Sequence, residues 1–202
     1  MACGDEGHKN KETTSVDSKI DEFYIGRRTI RIWGEVSDES MKAASERLEF
    51  IDATPVEEGH SSDITIIVNS PGGVITSGLA FVDTMKAAVS DIVVVCIGQA
   101  ASMGAVILSQ GTKGKRYASA TSRVMIHQPL ISGMIEGRAT DIMIQDKEMN
   151  RMKEIITKLM ADSSNITNDE MAAAMDEDNF MEPEDALKMG LIDHVGLPPR
   201  RA

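Results

Sequence analysis

The sequence predicts an α/β fold with a largely parallel sheet, on three observations. Short strand-like runs alternate with segments at helical spacing from about residue 21 to the C-terminus, with no low-complexity linker or internal repeat between them. The run IVVVCIG, Ile92 to Gly98, is rich in β-branched residues, as in a strand covered on both faces. A chain of 202 residues, 42% hydrophobic and 26% charged, is long enough for one domain with a real core.

Taken in order, residues 1–20 are polar, charged and without periodicity, so a mobile tail is expected, with a single domain over 21–202. Arg28 to Val36 alternates as a strand. DESMKAASERLEFID follows at helical spacing through Met41, Ala44, Leu48 and Ile51. Asp63 to Asn69 reads as a buried strand, stopped by the turn SPGG. TSGLAFVDTMKAAV is a helix with Leu79, Val82, Met85 and Val89 along one face. After the IVVVCIG strand, SMGAVILSQ reads as a short buried helix, KGKRY as a solvated turn, and SRVMIHQPLI as a further strand. The longest helical pattern begins at ATDIMIQ, and its apolar stripe through Ile142, Met149, Met152, Ile156 and Leu159 is thin. A long helix with so narrow a face packs more readily on another subunit than inside a core. Thr167 and Glu170 form a capping box, Pro183 opens a last helix that Gly190 stops, and LIDHV closes the chain as a short strand.

Composition excludes several functions. A net charge of −11 disfavours nucleic acid and anionic membranes as partners, and 3% aromatic residues are too few for stacking on single strands. No apolar stretch approaches the roughly 20 residues of a membrane span. The opening MACGDEGHKNKETTSVDSKIDE has neither a signal-peptide core nor a transit-peptide composition, so a cytoplasmic location is expected. Cys3 and Cys96 fit reduced thiols and have no partners for a metal site. Lys115 is followed by Arg116 where a P-loop has Ser or Thr.

Catalytic candidates remain. Of the four histidines, His8 and His60 lie in polar segments and His194 near the C-terminus; only His127 sits in an apolar strand, where a general base would be held rigid. In GQAASMGA a single hydroxyl, Ser102, stands among small residues where a strand meets a helix, which suits a displayed nucleophile. NSPGGVITSG brings Pro71-Gly72-Gly73 after a buried strand, so bare backbone can approach a ligand and supply amides for an oxyanion. For an orienting acid, Asp176, Asp178, Asp185 and Asp193 are all candidates, and spacing does not choose among them.

Three blocks, NSPGGVITSGLAFVDTM, IGQAASMGAVILSQGTKGKRYA and SRVMIHQPL, together resemble the proteolytic subunits of Clp protease, the ClpP family of serine peptidases, from about Arg28 to the C-terminus. The resemblance implies a crotonase-like α/β fold of repeated strand–helix units, with a protruding long-helix handle at about 130–161. It also implies a Ser102, His127, Asp178 triad, with Asp176 as the fallback acid, and the amides of Gly73 and Met103 as oxyanion donors. An extended peptide would lie along Gly72, Val74, Leu130 and Ile131. Two heptameric rings would enclose the sites; an AAA+ unfoldase would feed in polypeptides and use the ATP, and the subunit itself would need no metal or organic cofactor.

Three departures from the family pattern stand out: the wholly polar residues 1–20, Thr65 and Ile67 where tyrosines are usual, and Glu177 where an arginine commonly precedes the acid. Together they fit a subunit that works in a mixed ring with a paralogue. A crotonase-fold acyl-CoA enzyme is the alternative of another class; it shares the architecture without needing this serine and histidine.

Overall fold

The computed structural model describes residues 15–130 and 136–199. Helix α1 (Val16–Gly26) is capped by the Ser15 hydroxyl, which accepts from the Ser18 amide. It therefore begins inside the segment expected to be a mobile tail. Strand β1 (Thr29–Trp33) alternates as expected, burying Ile30 and Ile32. Helix α2 (Asp38–Ala53) buries Met41, Ala44, Leu48 and Ile51, the stripe its spacing predicts. Each fully buried aliphatic of this kind contributes about 1.5–3 kcal/mol.

Strand β2 (Ile64–Ser70) leads into helix α3 (Ile75–Ala87), which buries Phe81, Val82 and Met85. Val89 was expected on the same face, but the helix ends two residues earlier and Val89 is 94% exposed. Strand β3 (Ile92–Ala101) runs three residues past Gly98, directly into helix α4 (Met103–Ser109), which is buried along its whole length. Strands β4 (Arg116–Ala118) and β5 (Arg123–Ile126) follow. The long helix α5 (Ala139–Asp162), the short helix α6 (Asn168–Ala174), strand β6 (Asn179–Met181), helix α7 (Pro183–Met189) and strand β7 (His194–Val195) complete the chain.

The sheet runs β1-β2-β3-β4-β7 with all of these neighbours parallel. The central strand β3 is buried along its first five residues and reads as an apolar run, while β1 and β2 alternate. Strand β3 changes partner along its length: Val94 to Cys96 face β4, whereas Gln99 to Ala101 face β5. The cause is a bulge. Between Val68 and Ser70 on β2, β3 advances from Cys96 to Ala100, two residues more than β2 does, with Gly98 at φ +80°. A Cβ at Gly98 would lie 2.8 Å from the Asn69 side-chain oxygen, which accepts from the Gln99 amide. Beyond the bulge β3 leaves β4 and pairs with β5.

The KGKRY segment is not simply a solvated turn. Arg116 begins β4 and is 2% exposed, paired with Asp193 at 2.7 Å while donating to the carbonyls of Ser109 and Ser163. Lys115 pairs with Asp63 and Asp91. Cys96 is fully buried, and burial pushes its thiol up to about 11. Among the described residues, no helix is long and apolar enough to cross a membrane.

Along α5 the burial is uneven. Ile156, Thr157 and Met160 are inside, while Ile142, Met143 and Ile144 are exposed. Of the expected stripe, Ile156 alone is buried in the core of its own chain.

Candidate active site

Ser102 occupies the single residue between β3 and α4, at φ +53° and ψ −123°. A side-chain-bearing residue adopts this backbone only where its surroundings force it, at a cost on the order of 1–3 kcal/mol. Three features hold it. Its amide donates to the Met125 carbonyl at 2.9 Å, its carbonyl accepts from the Ala105 and Val106 amides, and α4 behind it is wholly buried. The sharp strand-to-helix turn expected from GQAASMGA is present, and it displays the hydroxyl beside the N-terminus of α4.

The expected strand SRVMIHQPLI is shorter in the structure. It ends at Ile126, so His127 lies one residue beyond β5. Ala101 pairs with Met125, which brings the residues following these two strands together. His127 Nε2 lies 2.9 Å from Ser102 Oγ, and the imidazole is largely buried.

Strand β6 brings the acid. It runs antiparallel to β5 with Ile126 opposite Asn179. Carried one step on, that register sets Asp178 opposite His127, and Asp178 Oδ1 is 3.6 Å from His127 Nδ1. Asp176 is turned elsewhere: its backbone carbonyl accepts from Gln128 Nε2 at 2.7 Å and its carboxylate lies 3.4 Å from the same nitrogen. Asp193 is bound to Arg116, and Asp185 to Lys188. Of the four candidate acids, only Asp178 meets the histidine.

Gly72 packs directly against Ser102, and the neighbouring Gly73 packs against Val36. A Cβ on Gly72 would lie 2.5 Å from Ser102 Cβ and 2.9 Å from the Met103 nitrogen, and one on Gly73 would lie 2.2 Å from the Val36 carbonyl oxygen. Both positions also have positive φ, +93° and +147°. Only glycine lets the two backbones approach so closely. Gly73 is bridged to Val36, whose amide donates to the Gly72 carbonyl and whose carbonyl accepts from the Val74 amide. The Gly73 amide has no acceptor among the described residues, and the Met103 amide, at the first position of α4, has none within its helix. Among the described residues both N–H groups, which line the same cleft as Ser102, are therefore without an acceptor, as a donor to an oxyanion must be.

The expected peptide-binding positions divide. The Gly72 amide is already bonded to Ser70 Oγ, and Gly72 supplies clearance. The Val74 amide is bonded to Val36 and its carbonyl accepts from Gly78, so what Val74 offers the cleft is its half-exposed side chain. Leu130 is 61% exposed at the cleft edge, and its backbone hydrogen-bonds to no other described residue. Ile131 lies outside the described residues.

The cleft holds about 670 Å³ in front of Ser102. Its apolar wall comes from Val106, Met152, Ile156, Met160 and Met175. The sequence reading assigned Met152 and Ile156 to a packing stripe and missed that the same stripe walls the site. It also missed Gln128, the residue after the histidine, and Lys153, whose Nζ donates to Gln128 Oε1 at 2.7 Å. No local motif marks either residue.

A hydroxyl against an imidazole, a carboxylate behind it and two unpaired amides form a set suited to acyl transfer. Over residues 11–198 the sequence matches the family model described as Clp protease. With that match spanning nearly the whole chain, it belongs to the Clp protease family.

Proposed function

We propose that this chain, a ClpP-type peptidase by family, is a serine endopeptidase in which Ser102 is the nucleophile, His127 the base and Asp178 the orienting acid. The observation that carries the reading is the 2.9 Å contact between Ser102 Oγ and His127 Nε2, in a cleft where the Gly73 and Met103 amides are unpaired. Ser102 attacks the scissile carbonyl as His127 takes its proton. The carbonyl oxygen, now an oxyanion, is received by the amides of Gly73 and Met103. His127 then gives the proton to the leaving amine, and the acyl-enzyme is hydrolysed by a water activated in the same way. Asp178 keeps Nδ1 protonated and stabilises the imidazolium that forms in each half-reaction. An extended polypeptide lies between the segment carrying Gly72 and Val74 on one side and the segment carrying Leu130 on the other.

The mixed α/β architecture with a parallel-dominated sheet is consistent with the ClpP fold. Clp protease family members generally form rings and work with AAA+ unfoldases. Here the assembly is read as heptameric rings stacked through the handle in the cytoplasm, with the unfoldase supplying unfolded chains and consuming the ATP. The exposed Ile142, Met143 and Ile144 on the first half of α5 support a subunit contact there. Glu177, Thr65 and Ile67 favour the second reading, in which a paralogous subunit completes the ring.

The test is hydrolysis of a short fluorogenic peptide, with labelling by a fluorophosphonate probe and sizing of the chain alone and with any paralogue. Ser102→Ala is expected to lower turnover by about 10³-fold or more and to abolish labelling. Undiminished hydrolysis by Ser102→Ala would overturn the reading. An acyl-CoA hydratase or isomerase of the same fold would leave Ser102 unlabelled.

A further inference from the structure

Gln128 directly follows the base in sequence, and the reaction described above makes no use of it. Its contacts nonetheless converge on the segment that carries the acid. The Gln128 amide donates to the Met175 carbonyl at 2.6 Å, and its Nε2 donates to the Asp176 carbonyl at 2.7 Å. Its remaining group, Oε1, accepts from Lys153 Nζ at 2.7 Å. The side chain therefore ties three elements together: the end of β5, the loop before β6, and helix α5.

We propose that Lys153 and Gln128 act as a positioning pair that holds the loop before β6 so that Asp178 faces His127. The proposal rests on the Ser102–His127–Asp178 reading and adds two residues to it. Asp178 needs such a support. Its side chain is 64% exposed and 3.6 Å from the imidazole, and no hydrogen bond to another described residue fixes its carboxylate. Its position is inherited from its backbone. On one side the backbone is held by the pairing of Asn179 with Ile126. On the other it is held two residues away by Gln128.

Lys153 has a distinct task. A primary amide turned by 180° would present its oxygen to the Asp176 carbonyl and lose that bond. Lysine is donor-only, so it requires the oxygen of Gln128 and thereby selects the orientation whose nitrogen faces Asp176. Lys153 follows Met152 and lies one turn before Ile156, both of which line the cleft. A shift of this part of α5 is thus transmitted to the acid loop through one hydrogen-bonded pair.

Four variants test the pair in the full chain, in its native assembly, with kcat and KM measured on a short fluorogenic peptide. Lys153→Met keeps the aliphatic stem and removes the donor; it is expected to lower kcat about 10-fold and leave KM within about twofold. Lys153→Arg keeps a donor and is expected to retain at least about half of wild-type kcat. Gln128→Met removes the contacts from the other side and is expected to lose at least as much as Lys153→Met; it carries the test if Lys153→Met does not fold. The double variant is expected to be no worse than Gln128→Met, because the two residues act as one unit.

The proposal is overturned if Lys153→Met leaves kcat within about twofold, if Lys153→Arg is as impaired as Lys153→Met, or if the losses multiply in the double variant. Ser102→Ala in the same assay separates the two levels. If it retains hydrolysis, the reaction assignment fails. If it is inactive while Lys153→Met is unaffected, only the positioning pair fails.

Discussion

The two sides of the site are built differently. On one side, Ser102 is fixed by a wholly buried helix, a backbone bond to Met125 and Gly72, which leaves no spare room beside it. On the other, Asp178 stands largely in solvent, 3.6 Å from the imidazole, on a loop leading into a three-residue strand. His127 joins them, with a 2.9 Å contact on the serine side. The difference teaches which side tolerates disturbance. The nucleophile side is over-determined by the core, so a small steric change there has nowhere to relax. The acid side is determined by a few hydrogen bonds, so changes there are graded.

The largest effect is expected on the rigid side. Gly72→Ala would put a methyl group 2.5 Å from Ser102 Cβ and 2.9 Å from the Met103 nitrogen, at a φ of +93°. It displaces the proposed nucleophile and a proposed oxyanion donor together, so turnover is expected to fall by about 10³-fold or more. Fluorophosphonate labelling should fall in parallel. If Gly72→Ala kept a tenth of its activity, the rigid side would be more compliant than its packing implies. On the acid side, Asp178→Asn is expected to cost about 10²-fold in kcat, short of the roughly 10⁴-fold seen when a buried triad acid becomes an amide and fixes the wrong imidazole tautomer. An exposed side chain 3.6 Å from Nδ1 holds the tautomer less firmly. Solvent already screens this carboxylate, and it stabilises the imidazolium less. A loss equal to that of Gly72→Ala would erase the asymmetry.

The rigid side was also the more legible in the sequence, for a physical reason. The strand before Ser102, its small neighbours and the buried helix after it are local patterns that mark where the turn falls, while its positive φ is held from Met125 and Gly72. The glycine turn is local too, and so are the caps at Thr167 and Gly190. The helix at Val16–Gly26 was equally available, since Ser15 stands at its N-cap and Ile20, Phe23 and Tyr24 follow at helical spacing; the polar composition of the first 20 residues hid it. The acid side depends on pairings between distant segments. That Asp178 and not Asp176 faces the base follows from Ile126 lying opposite Asn179, a register over 53 residues of sequence that no local pattern encodes. The Lys153–Gln128 contact and the Arg116–Asp193 pair are of the same kind. Arg116 in particular looked like part of a basic turn because its partner lies 77 residues further on.

That ion pair supports the rigid side from behind, since Arg116 also donates to the carbonyl of Ser109 at the end of α4. Asp193→Asn would leave a guanidinium that is 2% exposed without its charge partner, at a cost of about 3–5 kcal/mol read as a fall in Tm. Burial pushes the Asp193 carboxyl up, but the Arg116 guanidinium, with the amides of Arg116 and Gly114, outweighs it and holds the group below its ordinary value of 3.8. A carboxyl depressed in the folded state gives stability that is present above 3.8 and lost as pH falls through the lower folded value. Wild-type stability is therefore expected to drop in that acid range, and the Asn variant to show a shallower drop there. Parallel acid titrations of the two proteins would cancel the expectation.

The smallest effect is expected from Asp176→Asn, and it isolates what the acid loop requires. Gln128 holds the Asp176 carbonyl at 2.7 Å and its carboxylate only at 3.4 Å. Removing the charge leaves the stronger contact, because the backbone carbonyl is unchanged, so kcat should stay within about threefold of wild type. Asp178→Asn alters no backbone contact and yet is expected to cost far more. Loop position and carboxylate charge are thereby separated: one residue lends its backbone to the loop, and the other, in the proposed triad, lends its charge to the histidine. If Asp176→Asn were the more damaging of the two, the role of the acid would pass to Asp176, and the loop would have to turn by two residues to bring it to the imidazole.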